Sequence, residues 1–232
     1  MFALRSIGLL IVILGLFTLT LFCGEAAMAE GVSLPKPSFK GTVSVEAALK
    51  ARRTHRSFKP QPLTLAQLSQ LLWAAYGVTD EKHGYQLKTN PSAGALYPLD
   101  IYAVVGQGGV KGLGPGVYHY QPDGHSLELI EGKDLRSELA QDALDQMWMA
   151  KAPVILVITG EYRRCMSRYG QRGIMYTHME SGCVGQSIFL QAEALGLKAG
   201  IVGAFDNLRV GKTLGLPIAH DPLLIMPVGE GE

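Results

Sequence analysis

The 232-residue chain has no block of like charges, no internal repeat and no low-complexity tract. Lys and Arg number 21 against 20 Asp and Glu, a net charge of +1. That balance excludes the long-range basic field with which proteins gather nucleic acid or anionic lipid, and it leaves small molecules as the expected partners. Cysteine is scarce, limited to Cys23, Cys165 and Cys183. With no Cys-x-x-Cys and no Cys/His ligand spacing, neither a dithiol redox centre nor a metal site is expected, and the thiols read as buried or idle. Disulfide staples are not needed either, because a chain of this length with 47% hydrophobic and 18% charged residues can bury a full core as one domain.

Long apolar runs are also few, and the one present lies at the start. Arg5 precedes an apolar stretch from Ile7 to Phe22, followed by Ala27-Met28-Ala29, a small-x-small site of the kind a signal peptidase accepts. Residues 1–29 are therefore expected to be a signal peptide that exports the protein to the periplasm or the medium. An uncleaved membrane anchor is the alternative, although the run is short for a span of about 20 residues. Lipidation at Cys23 fits less well, since Leu21-Phe22 lacks the small residue that such a site places before its cysteine. Cleavage would remove Arg5, Glu25 and Cys23 and leave the charge at +1.

Residues 30–43, with Pro35 and Pro37, read as an extended leader that either enters the domain or wraps a partner subunit; 44–232 form the domain. A helix is expected from Ser44, with Glu46 in its first turn and Lys50, Arg52 and Arg53 in its last, as the helix dipole favours. A second starts at a capping box, Thr64 with Gln67, carries Leu65, Leu68, Leu71, Leu72 and Ala75, and stops at Gly77. After an irregular polar stretch around Asn90, strands are expected at Asp100–Val105, Gly116–Tyr120 and Leu127–Ile130, the first two as neighbours. A helical pattern spans Asp134–Met149, and the apolar run Pro153–Thr159 suits the centre of a sheet. Val184, Ile188, Phe189, Ala192 and Leu195 define a long helix ending near Gly196, in which Gly182 and Gly185 permit close approach. A strand at Ala199–Gly203, a helix at Asp206–Leu214 and a strand at Leu223–Val228 complete the chain.

Three segments have chemistry in them. Arg52, Arg53, Thr54 and Arg56 place three guanidinium forks and a hydroxyl within five residues, which suits a nucleotide phosphate or, as plainly, a solvated basic helix end. Pro91-Ser92-Ala93-Gly94-Ala95 is a loop of small residues that lets backbone amides approach a flat ring, or is a simple turn. Gly203 and Ala204 join a strand to a helix capped by Asp206, whose amino end can aim N–H groups at an electron-rich edge. His178, Glu180 and Gln186 lie on the long helix, where they face a ligand or a helix contact. His55, His83, His119 and His125 have no ligand spacing and read as surface or satisfied core residues.

In this order the segments resemble the nitroreductase superfamily from about Val45 to Gly229. The resemblance implies an α+β fold, a mostly antiparallel or mixed sheet flanked by helices, working as a homodimer with FMN at the interface. It implies that Arg52, Arg53, Thr54, Arg56 and Phe58 grip the FMN phosphate and ribityl chain. Pro91, Ser92, Ala93, Gly94 and Ala95 would touch the isoalloxazine across the interface, Gly203 and Ala204 would offer N–H groups near its N5 edge, and Gln186 would reach the cofactor. The ending Pro222 to Gly229 also matches. Ser92-Ala93-Gly94-Ala95-Leu96-Tyr97-Pro98 and the segment from Tyr169 through Gln186 are similar to the SagB-type azoline dehydrogenases. Where those enzymes carry a Lys-Tyr pair this chain has Arg168-Tyr169, and arginine stays charged at any working pH. Glu230 and Glu232 stand where many relatives place a cation against the phosphate. The implied activity is transfer of hydride or electrons between a donor, NAD(P)H or a protein or membrane carrier, and a small or peptide-derived substrate; the alternative is an exported module that binds flavin or sequesters a ligand without catalysis.

Overall fold

The computed structural model describes residues 31–82 and 85–232; the expected signal peptide, Cys23 and His83 lie outside the described residues. In chain order the elements are β1 (Val32–Ser33), α1 (Val45–Ala51), β2 (Leu63–Thr64), α2 (Leu65–Tyr76), β3 (Val78–Lys82), β4 (Tyr85–Lys88), β5 (Leu99–Val105), β6 (Val110–Lys111), β7 (Gly116–Gln121), β8 (Ser126–Glu131), α3 (Arg136–Asp142), β9 (Val154–Gly160), α4 (Tyr162–Tyr169), α5 (Arg172–Ala194), β10 (Lys198–Ala199), α6 (Asn207–Thr213) and β11 (Asp221–Gly229). Seven strands form one sheet in the order β1-β8-β7-β5-β9-β11-β10. Each of its pairings is antiparallel, and the fold is α+β.

Strand β9 lies between β5 and β11 with each residue buried. Because successive side chains point to opposite faces, Val154, Leu156 and Ile158 enter the core beneath α2 and α5. Ile155 and Val157 enter a second core with α3 and α6. A strand covered on both faces has no use for polar alternation, which is why its sequence is continuously apolar. Helix α2 starts at the expected capping box, Thr64 and Gln67 bonding each other's backbone, a device that contributes about 1 kcal/mol. Its last cap, Gly77, is extended rather than left-handed; the missing Cβ makes room for the Trp73 indole.

Four expectations change. The pattern over Asp134–Met149 yields α3 and then a 3-10 turn at Met147–Lys151, because Leu144 and Asp145 take positive φ of 57° and 58°. That break turns the Asp142 carboxylate toward α6, where Arg209 Nη2 reaches it at 2.8 Å and Thr213 Oγ1 at 2.5 Å. The strand expected at Ala199–Gly203 is regular only at Lys198–Ala199, although the Gly200 amide still donates to Pro227 O at 2.8 Å and Val202 returns as an isolated bridge to Ile225. Neither helical glycine is required for packing within the chain: a Cβ at Gly185 would meet Leu224 at an ordinary 3.4 Å, and one at Gly182 would meet nothing within 4 Å. Around Asn90 the polar stretch is preceded by a hairpin, β3 with β4, that the sequence reading passes over. The leader adds β1 to the edge of its own sheet beside β8.

Candidate active site

The basic segment leaves the end of α1, with Arg52 as its cap. Thr54 bridges Ala199 in parallel, and the His55 amide donates to Ala199 O at 2.9 Å, which ties the segment to β10. Phe58 is buried against Trp148 and Gly229. Arg52 lies 5.2 Å from the Phe189 ring centroid and Arg56 5.8 Å from that of Trp148. Arg53 Nη1 donates to the carbonyls of Lys50 and Arg52. Among the described residues none of the three arginines has a carboxylate partner, so three positive charges collect on one edge without local compensation. Glu230, by contrast, is neutralised by Lys59 at 2.6 Å, and its charge does not face the arginines unopposed.

Gly203 and Ala204 follow Val202 at the same end of the sheet. Both are exposed, neither has positive φ, and neither amide donates to a backbone carbonyl of the described residues. Alanine is thus conformationally free to stand there. The Ala204 carbonyl takes Gln146 Nε2 at 3.1 Å, and Asp206 caps α6 through Arg209 N. The 52–56 segment, joined to β10 at Ala199, and the 203–204 turn four residues further along the chain each offer donors, which suits an anionic ligand with an electron-rich ring.

The Pro91–Ala95 loop lies elsewhere. Asn90, only 4% exposed, anchors it by donating to the carbonyls of Ala74 and Ala75 and accepting from Ser187 Oγ at 2.7 Å. Ser92 Oγ accepts the Tyr97 amide at 2.9 Å. Gly94 and Ala95 take φ of 62° and 53°, a left-handed step that glycine makes freely and alanine at a cost of about 1–2 kcal/mol. A Cβ at Gly94 would come within 2.8 Å of Tyr169 Oη and 3.1 Å of Arg168 Nη1, so the pair in the place of Lys-Tyr does pack against the loop. Ser187 bears on this loop and Phe189 on Arg52; two residues apart, they point about 200° apart around α5. The structure therefore sets Arg52 and the 91–95 loop on opposite flanks of the same helix, with 52–56 joined to β10 and 203–204 a few residues beyond that strand. Gln186, half-buried, makes no side-chain hydrogen bond among the described residues.

Behind the loop lies a buried network. Glu180, 4% exposed, takes the Tyr76 hydroxyl on Oε1 at 2.7 Å, and its Oε2 is buried without a well-formed hydrogen bond among the described residues, the Ser92 hydroxyl lying nearby. Burial raises its pKa above the usual carboxylate range, against the pull of the nearby Ser92 and Tyr76 hydroxyls and of Lys88. Lys88 Nζ lies 4.2 Å from the Tyr76 ring centroid and 5.0 Å from that of Tyr97; burial lowers its pKa. Tyr76 in turn is pushed up by burial and by Glu180. The sequence gives no signal for Tyr76 or Lys88. Glu180, a carboxylate on the buried stripe of α5, did give one. His178 is exposed against Tyr162 Oη. Cys165 is buried and Cys183 exposed, both free.

Comparison with known proteins follows this geometry. A protein of Methanocaldococcus jannaschii whose name assigns it to the nitroreductases is 46% identical over 202 residues, covering 87% of this chain and 98% of that one. The microcin B17-processing protein McbC of Escherichia coli is 27% identical over 157 residues, 66% of this chain and 57% of its own. A crystal structure from Ralstonia eutropha, likewise named for the nitroreductases, superposes with a TM-score of 0.75 at 28% identity, covering 89% and 91% of the two chains. With the Nitroreductase family model matching residues 49–230 as well, the chain belongs to the nitroreductase family.

Proposed function

We propose that the chain is an FMN-dependent oxidoreductase that works as a homodimer, each flavin held between two copies. The observation that carries this reading is the split of the motif residues onto opposite flanks of α5. One chain offers unpaired arginines and open amides on one side and a small-residue loop on the other, so a second copy is needed to close a cradle. An outer stripe of α5 with Met179 57% exposed, Gly182 open and Cys183 exposed gives a second copy an apolar face to meet. In this reading Arg52, Arg53, Thr54 and Arg56 hold the phosphate and ribityl chain. Gly203 and Ala204 hold the ring edge with Gln186 beside them, and Pro91–Ala95 of the second copy covers the ring.

Bound FMN supplies hydride and single-electron chemistry, while the protein supplies orientation and electrostatics. Guanidinium forks match phosphate oxygens in pairs, and the small side chains of Ala93, Gly94 and Ala95 leave room over the ring for a donor or an oxidised substrate. The kinship with McbC supports a peptide-derived substrate, and the fixed charge of Arg168 favours a small molecule instead. In this reading residues 1–29 are an export signal that would carry the enzyme outside the cytoplasm, or hold it on the membrane if they stay attached, where a protein or membrane carrier would replace NAD(P)H as donor. Catalysis is favoured over the non-catalytic binding module because Glu230, one ground for that alternative, is already paired with Lys59. Replacing Arg52 and Arg56 together with Ala is expected to abolish FMN retention, read from the absorbance of the purified protein. Full retention in that variant would sink the assignment.

A further inference from the structure

Arg168 and Tyr169, which the flavin reading leaves without a task, stand against the loop that covers the ring. We propose that Arg168, with the Tyr169 hydroxyl beside it, grips a carboxylate on the substrate and so decides which molecules the site accepts. The inference rests on the flavin reading above and deepens it by naming the substrate class, flat molecules with a single negative charge at one end.

Helix α4 carries two arginines one turn apart in opposite surroundings. Arg164 is held between Asp100 at 2.9 Å and Glu161 at 2.6 Å. Arg168 is exposed, and among the described residues neither its guanidinium nor the Tyr169 hydroxyl has a hydrogen bond or an ion pair. Aromatic contacts hold the pair in place instead. Arg168 Cζ lies 5.7 Å from the Tyr169 ring centroid, Tyr169 meets Tyr176 edge-on at 5.2 Å, and Arg172 Cζ lies 5.5 Å from the Tyr176 centroid. A guanidinium resting on a ring keeps its N–H edge free for an anion. Both polar ends point into the room that Gly94 leaves: a Cβ there would come within 2.8 Å of Tyr169 Oη and 3.1 Å of Arg168 Nη1. Successive helical residues point about 100° apart, so the two ends meet at this glycine because the loop folds into the notch between them. Where the loop of the second copy covers the ring, a substrate lying on that ring meets both groups. The count of charges selects the anion. Three guanidinium groups at 52–56 suit a phosphate with roughly two negative charges, whereas one fork and one hydroxyl suit a carboxylate, whose two oxygens match two N–H groups of a single arginine. Arg172 reaches the pair only through the two tyrosine rings. Tyr176 opens the stripe of α5 that meets the second copy, so the groups offered to substrate are those of α4.

The test is a calorimetric titration of benzoate and of its neutral isostere benzamide into the protein as purified, into Arg168→Gln, and into the Arg52→Ala/Arg56→Ala double variant. Benzoate should bind at least ~10-fold more tightly than benzamide. Arg168→Gln should erase that preference, and the double variant, which empties the phosphate cradle, should keep it. Equal binding of the two ligands, a preference that survives Arg168→Gln, or one that disappears in the double variant would overturn the proposal. A second readout follows the flavin. After photoreduction without oxygen, 4-nitrobenzoate should reoxidise it at a half-saturating concentration at least ~10-fold below that of nitrobenzene, and Arg168→Gln should bring the two concentrations together. Equal concentrations in the original protein would count against the proposal. A protein that holds no FMN, yet discriminates benzoate from benzamide through Arg168, would overturn the flavin reading and leave the anion site in place.

Discussion

Asp100, largely buried, and Glu180, fully buried, both lie close to the start of β5, and their pKa values are pushed in opposite directions. Asp100 is ringed by one guanidinium and two imidazoles: His119 Nε2 at 3.1 Å, Arg164 Nη1 at 2.9 Å and His220 Nε2 at 3.5 Å. Burial alone would raise its pKa, but the His119 hydrogen bond, Arg164 and His220 outweigh it and hold the carboxyl below its ordinary range. Glu180 has the Tyr76 hydroxyl on Oε1, the Ser92 hydroxyl beside it and no ion pair among the described residues, so burial wins and its pKa is raised. The contrast separates structure from chemistry. A carboxylate held by opposite charge is part of the scaffold, joining β5, β7 and α4 to the loop before β11 even though its Oδ2 makes no well-formed hydrogen bond, whereas one held only by hydroxyls is left to the effect of burial.

The largest way to break the contrast is Asp100→Asn. It leaves Arg164 and the two imidazoles without their shared anion, and a loss of about 3 kcal/mol in chemical denaturation is expected. Glu180→Gln, already neutral, should cost far less at low pH. The two should also differ in sign with pH. Asp100 has a lowered native pKa, so its contribution is present above the ordinary aspartate range and is lost as pH falls through the lowered value. Glu180 has a raised one, so its contribution is present below the ordinary glutamate range and is lost as pH rises through the raised value. Stability curves should therefore show Glu180→Gln gaining on the original protein as pH rises, with a slope of up to about 1.4 kcal/mol per pH unit. Parallel curves would contradict a raised Glu180 pKa. The smallest effect is Lys88→Met: loss of the contact with the Tyr76 and Tyr97 rings should cost about 0.5–1 kcal/mol and raise the Glu180 pKa further, seen as an upward shift in the pH range over which stability falls.

Much of the scaffold was legible because it follows local rules. The capping box at Thr64, the continuous run in β9 and the spacing of Val184, Ile188 and Phe189 each depend on neighbours a few residues away. The break after Asp142 was not legible, since it is set by left-handed residues at Leu144 and Asp145 and by a carboxylate drawn to α6, sixty or more residues on. Of the site, the arginines, the small-residue loop and the 203–204 turn were readable as motifs. Their separation across α5 was not, because motif order along a chain carries no information on which flank of a helix each one meets. Tyr76 and Lys88 escaped for a related reason: each looks ordinary in its own element, and only the fold brings them to Glu180.

The split across α5 reaches beyond a single molecule. If each cradle draws its arginines from one copy and its loop from the other, a chain damaged at Arg52 and a chain damaged at Gly94 are each inert alone. Expressed together, they would form mixed dimers in which one cradle combines both lesions and the other is intact. Two null alleles of this gene would then complement one another up to a ceiling of half activity per mixed dimer.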